Sequence, residues 1–216
     1  MNNYKISKQI IDNDIKTYII DKAPSKYIKN ILEDCFYNGK RLRPIIALEI
    51  NKSLNDSNSI DINIPKIILI SEIIHTSSLI IDDLPCMDND IERRGKPTIH
   101  YKYGETRAQI ITMYLFNIVT TFIINDLNSL KHKLSDIDIR TSLIYRTIFN
   151  NLGLFGAPLG QFLDNSDSID NCIDNCFEKN IKKQEGIDNL ICKKTSTFFE
   201  IAFVISYIAS GGNLDN

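Results

Sequence analysis

Four aspartates, Asp82, Asp83, Asp88 and Asp90, fall within nine residues, and Arg93 and Arg94 follow at once. Oxygen ligands this dense, with no Cys/His set beside them, point to magnesium or manganese rather than zinc. An EF-hand is excluded, because the fixed glycine and terminal glutamate of that loop are missing. Magnesium is commonly held by one or two carboxylates, with phosphate oxygens and water completing its shell. The adjacent arginines supply fork-shaped donors that match phosphate. These residue types therefore ask for a diphosphate bridged to protein through a divalent cation.

The element that must position them is the apolar run IILISEIIHTSSLIIDD, from Ile67 to Asp83. Pro65 suits a helix start, and Pro85 restricts Leu84, so the helix should stop near Asp83. Asp82 and Asp83 then sit at the negative end of the helix dipole, disfavoured by about 0.3–1 kcal/mol each, a penalty a bound cation would reverse. Ser71, His75, Ser78 and Asp82 share one face at helical spacing. Amid so much isoleucine, that polar stripe should line a cavity. A second cluster, NGKRLRP at Asn38–Pro44, puts Lys40, Arg41 and Arg43 on the first turn of a helix. Cations are unfavourable there, so the cluster is either a solvated basic turn or an anion site. The neighbouring Asp/Arg cluster favours the anion site. His75 alone would be read as an ordinary structural histidine.

The segment IIHTSSLIIDDLPCMDNDIERRGKPTIH resembles the first aspartate-rich region, DDxxxxD, of trans-prenyl diphosphate synthases, and NGKRLRP resembles a second signature of that family. The likeness is greatest to geranylgeranyl diphosphate synthases of plastids and bacteria. It implies a fold that is all-α, an isoprenoid synthase-type helical bundle around a central cavity, with residues 1–216 as one polyprenyl synthetase-like domain. It implies that Asp82 and Asp88 ligate Mg2+ with Asp83 in support, and that Arg93 meets the allylic diphosphate. Lys40, Arg43, His75 and Arg94 would hold isopentenyl diphosphate. Gln161 and Asp164 in GAPLGQFLD resemble the family's GQxxD, and Lys194 and Thr195 in CKKTSTFF resemble its KT motif on the allylic diphosphate. Asp82, Asp83, Asp88, Arg93 and Lys194 are thus the expected catalytic set. Product length is set in this family just before the first aspartate, and the small Ser77 and Ser78 there favour geranylgeranyl over farnesyl diphosphate. A homodimer, or a heterodimer with a homologue, is the implied assembly.

Three departures qualify the resemblance. A second DDxxD is absent, so the chain is expected to match the N-terminal two-thirds of a synthase and to lack the C-terminal helices. ITMYLF near Ile111 replaces the family's Gly-Asp, and Ile81 stands where histidine is common. The alternative function is a non-catalytic subunit that modulates an active homologue. Cys172 and Cys176 resemble the CxxxC of plant small subunits, though two small apolar residues on a helix face explain them as well. A terpene cyclase is disfavoured, since Lys40–Arg43 would have no purpose there.

Composition agrees with one sizeable core: 216 residues, 43% of them hydrophobic. A net charge of −2 argues against nucleic acid as a partner. Apolar runs are interrupted before reaching about 18 residues, so no transmembrane span is expected. The N-terminus lacks a signal core or transit-peptide character, and five irregularly spaced cysteines fit a reducing compartment. The expected location is the cytoplasm, or the plastid stroma if the gene is organellar. Periodicity predicts helices near 4–20, from Ser25 to Asn38-Gly39, over Arg41–Lys52, along the central run, over Glu105–Asn128 and over Ser135–Asn151 with Ser135 as cap. Two more follow near Ser168–Lys183 and Ile187–Ser210, closed by Gly211-Gly212. Leu54–Asn63 reads as a polar connection, and no strand is predicted.

Overall fold

The computed structural model describes residues 2–58, 61–153, 156–158 and 196–214. Within them the chain is all-α: α1 (Asn2–Tyr18), α2 (Lys26–Cys35), α3 (Leu42–Asn58), α4 (Pro65–Asp82), α5 (Ile99–Tyr103), α6 (Glu105–Leu130), α7 (Ile137–Leu152) and α8 (Thr197–Ala209).

Helix α4 is the axle. Ile67, Ile68, Leu69, Ile70, Ile73 and Ile74 are each at most 3% exposed, the mark of a helix apolar all round and packed on all sides. It lies against α1, α3, α6 and α8. No side chain of its own caps its start at Ile64. Instead Asp126, reaching over from α6, accepts the backbone N–H groups of Lys66 (2.9 Å) and Ile67 (3.0 Å). Helix α6 presents Ala108, Ile111, Leu115 and Phe122 to the core. Among the described residues it is the one helix long and apolar enough to cross a membrane, and its buried side is what an internal helix requires. Arg140 on α7 closes the other end of the bundle, donating to the carbonyls of Ile208 (2.7 Å) and Gly212 (2.9 Å) where α8 ends.

Several sequence expectations need correction. Helix α2 is capped by Ser25, whose hydroxyl accepts from Ile28 N–H, but it stops at Cys35, before Asn38-Gly39. Residues 36–41 form a loop, so Arg41 precedes α3 rather than lying in its first turn. The supposed connection at Leu54–Asn63 is helical as far as Asn58, since polar residues on an exposed face leave helical spacing intact. Asp136, not Ser135, stands at the N-cap of α7. A short antiparallel pair, β1 (Glu92–Arg93) with β2 (Lys96–Pro97), and the five-residue α5 occupy what reads as loop. Two-residue strands are too short to show alternation. The segment 168–183, and 187–195 of the last predicted helix, lie outside the described residues, as do Gln161, Asp164, Cys172, Cys176, Lys194 and Thr195.

Candidate functional site

The turn after α4 folds back on itself. Leu84 O accepts from Met87 N–H (2.8 Å) and Asn89 N–H (3.1 Å), and Asp88 N–H donates to Asp82 O at 2.9 Å. Six residues apart in sequence, Asp82 and Asp88 are thus backbone neighbours, with Asp82 half-buried and Asp88 exposed. Asp83 is different. It is 4% exposed and accepts Arg93 Nε at 2.7 Å. Burial raises its carboxyl above the usual range, and Arg93 offsets that only in part; the less buried guanidinium is held more firmly charged in return.

A concentration of positive charge lies beside this turn. His75 is driven down to about 3, by burial first and then by the nearby guanidinium groups of Arg43, Arg94 and Arg93. Its imidazole is therefore neutral, and its buried Nδ1 has no hydrogen-bond partner. Arg43 Nε and Ser71 Oγ are buried without partners as well. Two aromatic rings from α8 stand as a wall against these groups: Phe198 lies 6.0 Å from the His75 ring, and the Phe199 ring lies 4.5 Å from the Arg43 guanidinium carbon. Burial lowers the Arg43 and Arg94 guanidinium groups from their ordinary range, and Glu72 pulls both the other way. Polar atoms buried without partners cost about 1–3 kcal/mol each, and a polyanion would satisfy His75 and Arg43 together.

The structure thus gathers Arg43, His75, Arg93 and Arg94, and puts Asp82 beside Asp88. Lys40 is exposed, its carbonyl accepting Tyr4 Oη at 2.8 Å. Ser78 shares the His75 face and donates to His75 O (2.9 Å), whereas Ser77 is 0% exposed and donates to Ile73 O. A hollow of about 430 Å3, counting its open mouth, is lined by Thr76, Leu79, Ile80 and Asp83 of this helix end with Arg93 and Arg94; contrary to the expectation from spacing, the stripe of Ser71, His75, Ser78 and Asp82 does not line it.

The non-glycine residues with positive φ among those described are Asn38 (50°), Arg41 (58°), Asn89 (55°) and Arg94 (56°). All four lie in the two loops that carry the candidate anion ligands. Left-handed backbone costs such residues about 1–3 kcal/mol and gathers at functional sites. Sequence reasoning missed Glu72, Asp12, Phe198 and Phe199. For Glu72 a signal exists: a lone acid inside an isoleucine helix must be paired.

Among the described residues no group of three or more His, Cys, Asp or Glu side chains gathers for a metal. Asp82 and Asp88, whose backbones the turn joins at the negative end of a helix, nevertheless fit Mg2+ as residue types, since it takes few protein ligands and completes its shell with phosphate and water.

The comparisons agree with this geometry. The chain is 35% identical over 130 residues to farnesyl diphosphate synthase of Bacillus subtilis, covering 57% of this chain and 43% of that protein. It is 29% identical over 217 residues to geranylgeranyl pyrophosphate synthase 4 of Arabidopsis thaliana, covering 92% and 53%. The chain spans about half the length of these curated relatives. The crystal structure of geranyltransferase from Helicobacter pylori superposes with a TM-score of 0.71 at 26% identity, over 99% of this chain and 71% of that one. The family model for polyprenyl synthetase matches residues 25–216, taking in both signature loops, the central helix and the aromatic wall, and the chain belongs to that family.

Proposed function

We propose that the chain is a magnesium-dependent prenyltransferase that joins isopentenyl diphosphate to an allylic diphosphate and makes geranylgeranyl diphosphate. The observation that carries the reading is the buried, unpartnered Nδ1 of His75, beside the likewise unpartnered Nε of Arg43 and on the same helix as Asp82, whose carbonyl the turn brings to Asp88 N–H.

Each residue has a task in that reaction. Arg43, Arg94 and the imidazole of His75 hold the diphosphate of isopentenyl diphosphate, with Lys40 at the rim. Arg93, fixed by Asp83, faces the allylic diphosphate and stabilises the charge that grows on it as the carbon–oxygen bond breaks, the electrostatic contribution that dominates such chemistry. Asp82 and Asp88 would hold Mg2+, which supplies further neutralisation of the departing diphosphate. Phe198 and the isoleucines of α4 exclude water from the allylic cation, so the double bond of isopentenyl diphosphate attacks it and a proton is then lost. Lys194 and Thr195 join the allylic side by resemblance alone. The small Ser77 and Ser78 support the longer product; the relatives carry both farnesyl and geranylgeranyl names.

Helix α6 supports pairing with a second copy. Ile110, Met113 and Ile124, spaced along one side of it, are 60%, 70% and 47% exposed, and isologous burial of such a stripe is the ordinary route to a dimer.

The test is turnover. With isopentenyl diphosphate, farnesyl diphosphate and Mg2+, the purified chain is expected to release a C20 diphosphate, read by mass spectrometry. Release of C15 product from geranyl diphosphate with none at C20 would overturn the product length. No product alone, but altered product on mixing with a full-length homologue, would favour a modulating subunit.

A further inference from the structure

The loop that enters α3 is held from behind by Arg41. Its side chain is 4% exposed, and each of its nitrogens donates inside the protein: Nε to Asp12 Oδ1 at 2.8 Å, Nη1 to Glu72 Oε1 at 2.7 Å, and Nη2 to the Phe36 carbonyl. The guanidinium lies so close over Gly39 that a Cβ there would stand 1.9 Å from Arg41 Nη1 and 3.0 Å from Glu72 Oε1. Only glycine leaves room for it.

An arginine spent in this way offers little to a ligand. We propose that Arg41 is a positioning residue, clamped between Asp12 of α1 and Glu72 of α4, that sets Arg43 against His75. The inference rests on the diphosphate reading of the site. Glu72 lies three residues before His75 on the same helix, so one ion pair ties the loop to the imidazole's own element. Asp12 ties it to α1, which precedes the residues matched by the family model. Tyr4 adds a second tie to Lys40, and Ser7 bonds Glu49 of α3 at 2.7 Å. The N-terminal helix is thereby a working part of the anion site.

Charge and position make opposite predictions, which allows a clean test. Asp12→Asn and Glu72→Gln each remove a negative charge near the site. Charge alone would tighten an anion; loss of the clamp would loosen it. The affinity of the full chain for inorganic pyrophosphate with Mg2+ is measured by calorimetry for wild type, Arg41→Lys, Asp12→Asn and Glu72→Gln, with melting temperatures taken alongside. Arg41→Lys, which keeps the charge and loses the fork, is expected to weaken binding about tenfold. Asp12→Asn, half-exposed and safe for folding, is expected to weaken it about threefold. Unchanged affinity in Arg41→Lys, or tighter binding in Asp12→Asn, overturns the inference. So does a lower melting temperature with unaltered affinity, the mark of a purely structural role. Failure of the wild type to bind pyrophosphate overturns the diphosphate reading itself, and the clamp's role with it.

Discussion

The two ends of α4 obey opposite rules. At its start a buried carboxylate, Asp126, meets two N–H groups that have no partner within the helix, at the positive end of the dipole, an arrangement that stabilises the helix. At its finish two more carboxylates, Asp82 and Asp83, sit at the negative end, where the same dipole opposes them. One of these is offset by Arg93; the other stands beside Asp88. The same type of side chain thus caps the helix at one end and, in the proposed reading, meets a ligand at the other. The difference lies in what meets each carboxylate: backbone N–H groups at the start, the Arg93 guanidinium and the returning turn at the finish.

The largest expected effect breaks the stabilising end. Asp126→Ala leaves Lys66 and Ile67 N–H groups unpaired in the interior and should cost about 2–4 kcal/mol in denaturant unfolding. Asp126→Asn keeps one acceptor and sheds the buried charge. Burial raises the Asp126 carboxyl despite its hydrogen bonds, so the folded state binds the proton more tightly than the unfolded one. Asp126 therefore contributes most stability at or below its unfolded value near 3.8, and that contribution is lost as pH rises through the raised folded value. Asp126→Asn should remove this part of the pH dependence.

At the other end, the next effect is smaller. Arg93→Ala strands Asp83, which is 4% exposed, and should cost about 1–2 kcal/mol. Adding Asp83→Asn should recover most of that. A double-mutant cycle with no coupling would show that the pair is not what offsets the dipole. Asp82→Asn should instead act on the ligand, with magnesium-dependent pyrophosphate binding falling about tenfold. Unaltered pyrophosphate binding in Asp82→Asn would erase the contrast between the two ends.

Much of this contrast could be read in the sequence because it is local. Pro65, Pro85 and the isoleucine-rich run between them mark out α4 to within a residue, and the Asp/Arg spacing marks the end proposed to bind ligand. What was illegible is what arrives from a distance. Asp126 is sixty positions from the N–H groups it caps, and Asp12 is twenty-nine from Arg41. Arg41 itself reads as one more surface cation, since nothing within its own segment reveals that Asp12 and Glu72 consume it. Phe198 and Phe199 look like ordinary core aromatics until α8 sets them against His75 and Arg43. The turn that returns Asp88 to Asp82 follows from Pro85 and the residues after it, but the antiparallel pair presenting Arg93 and Arg94 is too short to carry a pattern.

His75 lies between the two ends and gives the smallest and most diagnostic effect. Its folded value near 3 lies below the ordinary 6.5 because burial and three guanidinium groups oppose a charged ring. The unfolded chain therefore binds the extra proton first, and stability is lost as pH falls from about 6.5 towards 3. Between pH 7 and pH 6 the loss should be on the order of 0.5 kcal/mol, and His75→Gln should abolish it. A bound diphosphate reverses the balance, since its charge offsets the arginines and favours the imidazolium. In NMR titration the His75 ring signals are expected to stay neutral across pH 5–8 in the ligand-free protein and to titrate within that window when pyrophosphate is added. Binding should then take up protons and tighten as pH is lowered. A His75 that titrates near 6.5 without ligand, or whose titration pyrophosphate leaves untouched, would mean that the arginines do not converge on it, and the functional end of α4 would lose its anion.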